Sequence, residues 1–272
     1  MILDFFLSYP LKKNASFKGS FQGKTCYIFG NGSSLKNMCF SHFRDHPTIG
    51  INHIVLHKDF NLLNTCCYAF PEPFSFYYYY KNPYKKKYEI NILNNLFRKE
   101  ISKFPNLNLF TSLSNIFSAP IKNTFFLHHF GKRKPDSEFL NLCSEFSYMS
   151  GGLYTGIGLA IALGFEKAIL VGCDYLMMPK TYGHFYSQPK FGEDNGINPY
   201  DQLIDDCSSK ILLEAISDYP TDCRIHCVDY ETYTGSPIKY RENTEIVSNE
   251  NLLILNKAYE IGQYHSPILP KQ

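Results

Sequence analysis

The chain has 272 residues, of which 44% are hydrophobic and 16% aromatic, enough apolar side chains to fill the core of a folded globular protein and to exclude a disordered one. Its 27 Lys and Arg residues nearly balance 25 Asp and Glu residues, and the net charge of +2 gives no reason to expect nucleic acid as a partner. The nine cysteines are odd in number and lie mostly in apolar runs, which predicts reduced thiols and a cytoplasmic protein.

The amino-terminal residues MILDFFLSYPLKK contain an apolar run too short for a signal sequence or a membrane-spanning helix. The favoured interpretation is that this run, in which Phe5 and Phe6 are followed by Lys12 and Lys13, packs against the domain. The same pattern also allows peripheral contact with the inner face of a membrane.

Seven short apolar runs predict β-strands, and several are apolar on successive residues, which is typical of strands buried on both faces. They are CYIFG (26–30), TIGIN (48–52), CCYAF (66–70), NLNLF (106–110), NTFFLH (123–128), AILVGCDYL (168–176) and CRIHCVD (223–229). Helices are predicted at 153–165 and 201–217. This alternation predicts an α/β fold with a doubly wound, mostly parallel Rossmann-like sheet.

Two segments interrupt the alternation within the single domain predicted for residues 1–272. Residues 71–101 form a Tyr- and Lys-rich insertion, predicted to be an amphipathic surface element that could also suit an acidic or carbohydrate partner. Residues 177–200 are rich in Gly, Pro and Asn and predict a flexible lid loop.

The first motif, YIFGNGSSL, places Gly30, Asn31 and Gly32 where a buried strand ends, with Ser33 positioned to cap the next helix. Such a corner can present backbone N–H groups to a phosphate. Because the motif lacks the spacing of a dinucleotide fingerprint or a P-loop, a tight structural turn is the alternative interpretation.

The second motif, SGGLYTGIGLAIALGFEKAILVGCDYL, combines a Gly-rich start, an almost wholly apolar helix and a strand that ends at Asp174. A helix that is apolar on all sides must be buried, and its amino end near Ser150 and Gly151 is a second candidate phosphate site. Glycines that serve only for packing are the alternative.

These motifs, together with the Asn that ends the run GIN, resemble the bacterial CMP-sialic-acid-dependent sialyltransferases with a single Rossmann-like domain. They are equally similar to the wider superfamily of flagellin glycosylation (motility accessory) proteins and 6-hydroxymethylpterin diphosphokinases. The similarity covers about half the chain, roughly 24–53 and 148–186. Since family members are often tetramers, it also implies a homo-oligomer.

The resemblance implies a set of residues that bind the donor. It assigns Asn31 and Asn52 to the CMP moiety and the helix start to the donor sugar and phosphate, whereas Asp174 and Thr234 are further candidate nucleotide contacts. The predicted binding residues are Gly30, Asn31, Gly32, Ser33, Asn52, Ser150, Gly151, Gly152, Asp174 and Thr234.

The resemblance also implies two tyrosines that hydrogen-bond the departing phosphate. One is Tyr182, and Tyr175 substitutes for the other because Leu176 stands at its position. The position of the family's catalytic histidine carries none here, and His184 is the histidine of the lid. Its imidazole suits removal of a proton from an acceptor hydroxyl, and a solvated loop histidine is the alternative.

The predicted function is transfer of a nonulosonic acid from a CMP-activated donor to a bacterial surface glycan such as lipopolysaccharide or capsule, without metal or cofactor. One alternative is a Mg²⁺-dependent diphosphokinase, in which Asp174 would bind the metal. The other is a non-catalytic homologue that binds glycans or nucleotides.

Overall fold

A computed structural model describes residues 9–36, 38–77, 89–129, 140–148, 151–173, 185–186, 212–217, 226–229 and 246–260. Within these ranges, eight strands form one parallel sheet in the order β5-β4-β3-β2-β1-β6-β7-β8. The strands are β1 (Thr25–Phe29), β2 (Thr48–Ile51), β3 (Thr65–Phe70), β4 (Leu109–Ser112), β5 (Thr124–Leu127), β6 (Lys167–Val171), β7 (Leu212–Ser217) and β8 (His226–Asp229). The predicted α/β class with a parallel sheet is confirmed.

Each of the seven runs that predict strands overlaps a strand of the structure. The prediction of a helix over 201–217 is wrong for its last six residues. Those residues, LLEAIS, form β7, which pairs with β6 on one side and β8 on the other. A short apolar run fits a buried strand and a buried helix equally well by periodicity, and here pairing in the sheet decides the outcome. Residues 201–211 lie outside the described ranges.

Alternate side chains of each central strand point to opposite faces of the sheet, so the sheet has a core on both sides. In β1, Cys26 and Ile28 join the core on one face, and Tyr27 and Phe29 join the core on the other. This alternation follows from the two-residue period of a strand and explains why β1 is apolar at successive positions. The doubly wound arrangement in the prediction is therefore present.

Three α-helices complete the described layers. They are α1 (Glu89–Ser102), α2 (Gly152–Ala162) and α3 (Asn249–Glu260). Helix α1 includes residues 89–101 of the predicted Tyr- and Lys-rich insertion, and it buries Leu96, Phe97 and Ile101 in the same core as Tyr27. It connects β3 to β4 on the face of the sheet opposite α2, so this part of the segment belongs to the layered core.

Helix α2 begins after Gly151, at the predicted helix, and lies in the core that contains Cys26 and Ile28. It packs so closely on its surroundings that its glycines have no room for a side chain. A Cβ on Gly158 would lie 2.4 Å from Cβ of Tyr148, and one on Gly156 would lie 2.9 Å from Cγ2 of Ile51. The glycines of the second motif therefore determine how near the helix approaches the sheet.

Gly158→Ala is expected to lower the free energy of unfolding by about 1 kcal/mol or more. A Cβ on Gly158 would lie within 3.0 Å of two Tyr148 atoms and one Phe146 atom, so we expect a cost near the upper end of the usual range of about 1–3 kcal/mol. That cost exceeds the gain of about 1 kcal/mol in helix propensity. Urea denaturation measures the change. The control is Asn95→Ala at an exposed position of α1, which gains propensity without a clash and should be neutral or stabilising. A Gly158→Ala variant as stable as this control would contradict the prediction.

Candidate nucleotide site at the carboxyl edge of the sheet

The strand order reverses between β1 and β6. From β1 the chain proceeds outward through β2, β3, β4 and β5, and then returns to add β6 on the other side of β1. In open α/β sheets, ligands bind at the carboxyl ends of the strands beside such a reversal of strand order. The two glycine-containing motifs meet at this position, because the first follows β1 and the second ends with β6.

The ends of β1 and β6 are joined by two backbone hydrogen bonds beyond the regular strands. The N–H of Gly30 donates to the carbonyl of Val171 at 2.7 Å, and the N–H of Gly32 donates to the carbonyl of Gly172 at 2.7 Å. A Cβ on Gly30 would lie 2.4 Å from the carbonyl oxygen of Gly172. Gly172 itself has φ +63°, a conformation that favours glycine. The corner therefore requires glycine on both strands.

These hydrogen bonds change what the Gly-Asn-Gly corner can offer a ligand. Because the N–H groups of Gly30 and Gly32 already donate to β6, they do not form the phosphate-binding corner that the sequence suggested. The corner instead presents Asn31, whose Oδ1 is buried and has no hydrogen-bond partner in the described part of the chain. A buried polar atom without a partner costs free energy, which makes it a candidate ligand contact.

Asn52 stands directly after β2, beside the same corner. Its φ is +49°, in the left-handed region where Asn occurs more often than most residues. The Tyr68 hydroxyl donates a hydrogen bond to the Asn52 carbonyl. Burial raises the pKa of Tyr68 well above its usual value, so this hydroxyl remains a protonated donor. Gly50 leaves room for the ring, since a Cβ there would lie 2.8 Å from Tyr68 Cδ2.

The Asn52 amide lies against the first residue of helix α2. A Cβ on Gly152 would lie 2.3 Å from Nδ2 of Asn52 and 2.4 Å from its Oδ1, so only glycine allows this contact. Gly151, with φ +137°, is the N-cap, and its carbonyl accepts hydrogen bonds from N–H and Oγ1 of Thr155. The first N–H groups of a helix have no acceptor within it, and they carry the positive end of the helix dipole.

Asn52 therefore offers a hydrogen-bond acceptor beside a positive helix end. Its Oδ1 is buried and, like that of Asn31, has no partner among the described residues. Phe29 and Gly50 are the last residues at which β1 and β2 pair with each other, and each Asn stands two residues beyond its own strand's member of that pair. The arrangement suits a ligand that carries hydroxyl or amino donors next to an anionic group.

Phe185 and Tyr186 also reach this edge and are fully buried, at 0% and 2% exposure. The N–H of Phe185 donates to the carbonyl of Asn31 at 2.9 Å. The hydroxyl of Tyr186 is hydrogen-bonded to Nδ1 of His53. These two residues of the predicted lid therefore contact the ends of both β1 and β2.

The structure brings together six of the predicted site residues: Gly30, Asn31, Gly32, Asn52, Gly151 and Gly152. Ser33 begins a short 3-10 helix, Ser33–Lys36, which follows the corner. The others lie outside the described residues: Ser150, Asp174, Tyr175, Tyr182, His184 and Thr234. Sequence reasoning assigned no role in the site to His53 or Tyr186, although His53 follows Asn52 directly and Tyr186 lies in the predicted lid.

In the described part of the chain, no group of three His, Cys, Asp or Glu side chains could hold a metal ion. Six described cysteines are free thiols, and burial raises the pKa of both Cys26 and Cys67. These two thiols therefore stay protonated and behave as core residues. No helix in the described ranges is long and apolar enough to span a membrane.

Replacing Asn52 should separate the cost of its backbone conformation from the role of its side chain. Asn52→Gly should leave the free energy of unfolding unchanged or raise it by up to about 1 kcal/mol, because glycine adopts φ +49° freely and the unpartnered amide is removed. Asn52→Ala should be about 1 kcal/mol less stable than the Gly variant, because a Cβ is strained in the left-handed region. Urea denaturation measures both, and equal stabilities would contradict the prediction.

Comparison with known proteins gives one structural match. No family model matches the sequence, and no curated protein matches it. The solved structure of the MAf glycosyltransferase from Magnetospirillum magneticum AMB-1 is similar to 94% of this chain, at 12% sequence identity and a TM-score of 0.46. The match covers 41% of that protein, so the chain spans about two fifths of its length.

Proposed function

We propose that this protein is a glycosyltransferase that uses a CMP-activated nonulosonic acid as donor and a surface glycan as acceptor. One observation carries the proposal: the unpartnered Asn52 amide oxygen lies against the amino end of helix α2, beside the corner that presents Asn31. The site lies where the strand order reverses, the usual position of a nucleotide in an open α/β sheet.

The two amide oxygens and the helix end favour a nucleotide over other small anions. An amide oxygen accepts hydrogen bonds, so Asn31 and Asn52 need a ligand with donors. The ribose hydroxyls and the cytosine amino group of CMP are such donors, and its phosphate suits the positive end of α2. The choice of a cytidine donor depends on the resemblance of the two sequence motifs.

In the proposed reaction, an acceptor hydroxyl oxygen attacks the anomeric carbon of the donor sugar. The bond between that carbon and the phosphate oxygen breaks, CMP leaves with the electron pair, and the acceptor's proton passes to a base. His184 is the proposed base, and Tyr182 and Tyr175 are the proposed donors to the departing phosphate. Phe185, which follows His184 in the chain, donates a hydrogen bond to Asn31 at the site.

The proposed donor predicts that the protein releases CMP slowly from CMP-sialic acid without acceptor, in the presence of EDTA.

Asn31→Ala should weaken CMP binding by roughly tenfold, because a ligand donor loses its buried acceptor. Calorimetry measures the affinity, and Asn95→Ala on exposed α1 is the matched control. If no CMP-sugar is bound or hydrolysed, the proposal is wrong. Stabilisation by ATP with Mg²⁺ but not by CMP would instead support the diphosphokinase alternative.

The assignment of His184 has its own test. His184→Ala should reduce the rate of transfer by about 10²–10⁴-fold, the usual contribution of a general base. Binding of CMP should change little, because the base acts on the acceptor. His46→Ala, at an exposed position before β2, is the control. Full transfer activity in His184→Ala would exclude this base, and an inactive wild type that still binds CMP-sugars would favour a binding role.

A further inference from the structure

His53 connects two parts of the nucleotide site that are distant in sequence. It follows Asn52 at the end of β2, and its ring stacks on Phe97 of helix α1 with 4.5 Å between centroids and 20° between planes. The stacked ring cannot rotate freely, so its Nδ1 atom has a fixed direction. That atom is hydrogen-bonded to the hydroxyl of Tyr186.

The hydrogen bond holds a buried dipeptide across the ends of two strands. Tyr186 is 2% exposed, and its ring lies nearly perpendicular to that of Phe185, at 87°. Phe185 is fully buried, and its ring meets the His57 ring edge-on with 5.4 Å between the ring centroids. Its N–H donates a hydrogen bond to the carbonyl of Asn31. A chain of direct contacts therefore leads from His53 through Tyr186 and Phe185 to Asn31.

Asn31 itself has one described backbone hydrogen bond, which joins its carbonyl to the N–H of Phe185. The N–H groups of Gly30 and Gly32 tie the corner to β6, and the Asn31 carbonyl is tied to Phe185. Glycine on both sides leaves the Asn31 backbone otherwise free to change conformation. If Phe185 moved, the direction of the Asn31 side chain and of its buried Oδ1 would change with the peptide.

We propose that His53 is a positioning residue for the nucleotide site, acting through Tyr186 and Phe185 on Asn31. The part of this inference that concerns affinity rests on the proposed function, because it requires a nucleotide that contacts Asn31. The part that concerns the contacts themselves does not. His53 and Tyr186 together set the orientation of Asn31. They affect the ligand only through that residue.

A thermodynamic cycle tests the effect on binding. His53→Phe keeps a ring to stack on Phe97 and removes the hydrogen bond, whereas His53→Asn keeps a polar atom near the position of Nδ1. His53→Phe and Tyr186→Phe should each weaken CMP binding about tenfold, and His53→Asn should restore most of the affinity. In an Asn31→Ala background, His53→Phe should have no further effect, because its action passes through Asn31. The inference would be overturned if His53→Phe bound CMP as tightly as the wild type. It would also be overturned if the losses of CMP affinity from His53→Phe and Asn31→Ala multiplied in the variant that carries both.

Hydrogen exchange tests the contacts without any ligand. The Phe185 amide should exchange about tenfold faster in His53→Phe and Tyr186→Phe than in the wild type, and near the wild-type rate in His53→Asn. His46→Phe and Tyr9→Phe, both at exposed positions, are the controls. Unchanged exchange at Phe185 would refute the positioning role even if CMP binds. Faster exchange in a protein that binds no CMP would support the contacts and refute the proposed function.

Discussion

The hydrogen bonds that join the end of β1 to the end of β6 determine where every other part of the candidate site can lie. They bring the Gly-Asn-Gly corner within contact distance of Gly172, and the close approach is possible only because Gly30 has no Cβ. Since β1 also pairs with β2, the same strand fixes Asn31 relative to Asn52. Helix α2 then packs on these strands, with its amino end at Asn52.

The site combines a strained residue with unpartnered polar atoms, and both features cost free energy in the absence of a ligand. Asn52 holds a left-handed backbone, while its side chain is confined between the sheet and Gly152. Contacts within the fold hold this conformation in place, such as the hydrogen bond from the Tyr68 hydroxyl to the Asn52 carbonyl. Locally unfavourable conformations that the surroundings hold in place are common at functional sites.

Much of the fold could be predicted because short-range patterns determine it. The seven apolar runs correspond to strands, and the apolar segment with three glycines corresponds to helix α2. Both kinds of segment are so apolar that they are stable only when buried. The strand β7 could not be recognised, because LLEAIS is compatible with either element until β6 and β8 pair with it. Half of the candidate site followed from two motifs, Gly-Asn-Gly and Ser-Gly-Gly. The contact of His53 with Tyr186 joins residues 133 positions apart, and no local pattern encodes it.

The sequence also could not show that the N–H groups of Gly30 and Gly32 already donate hydrogen bonds within the protein. That result depends on the carbonyls of Val171 and Gly172, which lie on a strand predicted independently. At the candidate site the first motif therefore offers the Asn31 side chain, and the second offers the amino end of helix α2.

The strand order has a further consequence for how the chain acquires its site during folding. Strands β1 and β6 are neighbours at the centre of the sheet, yet their paired residues Thr25 and Lys167 are about 140 positions apart. Strands β1 to β5 pair in sequence order and can assemble while the rest of the chain is still being synthesised. Closing the loop between β1 and β6 is a late and entropically costly event. The candidate site needs the ends of both β1 and β6, so we expect it to form only after the second half of the protein has docked on the first.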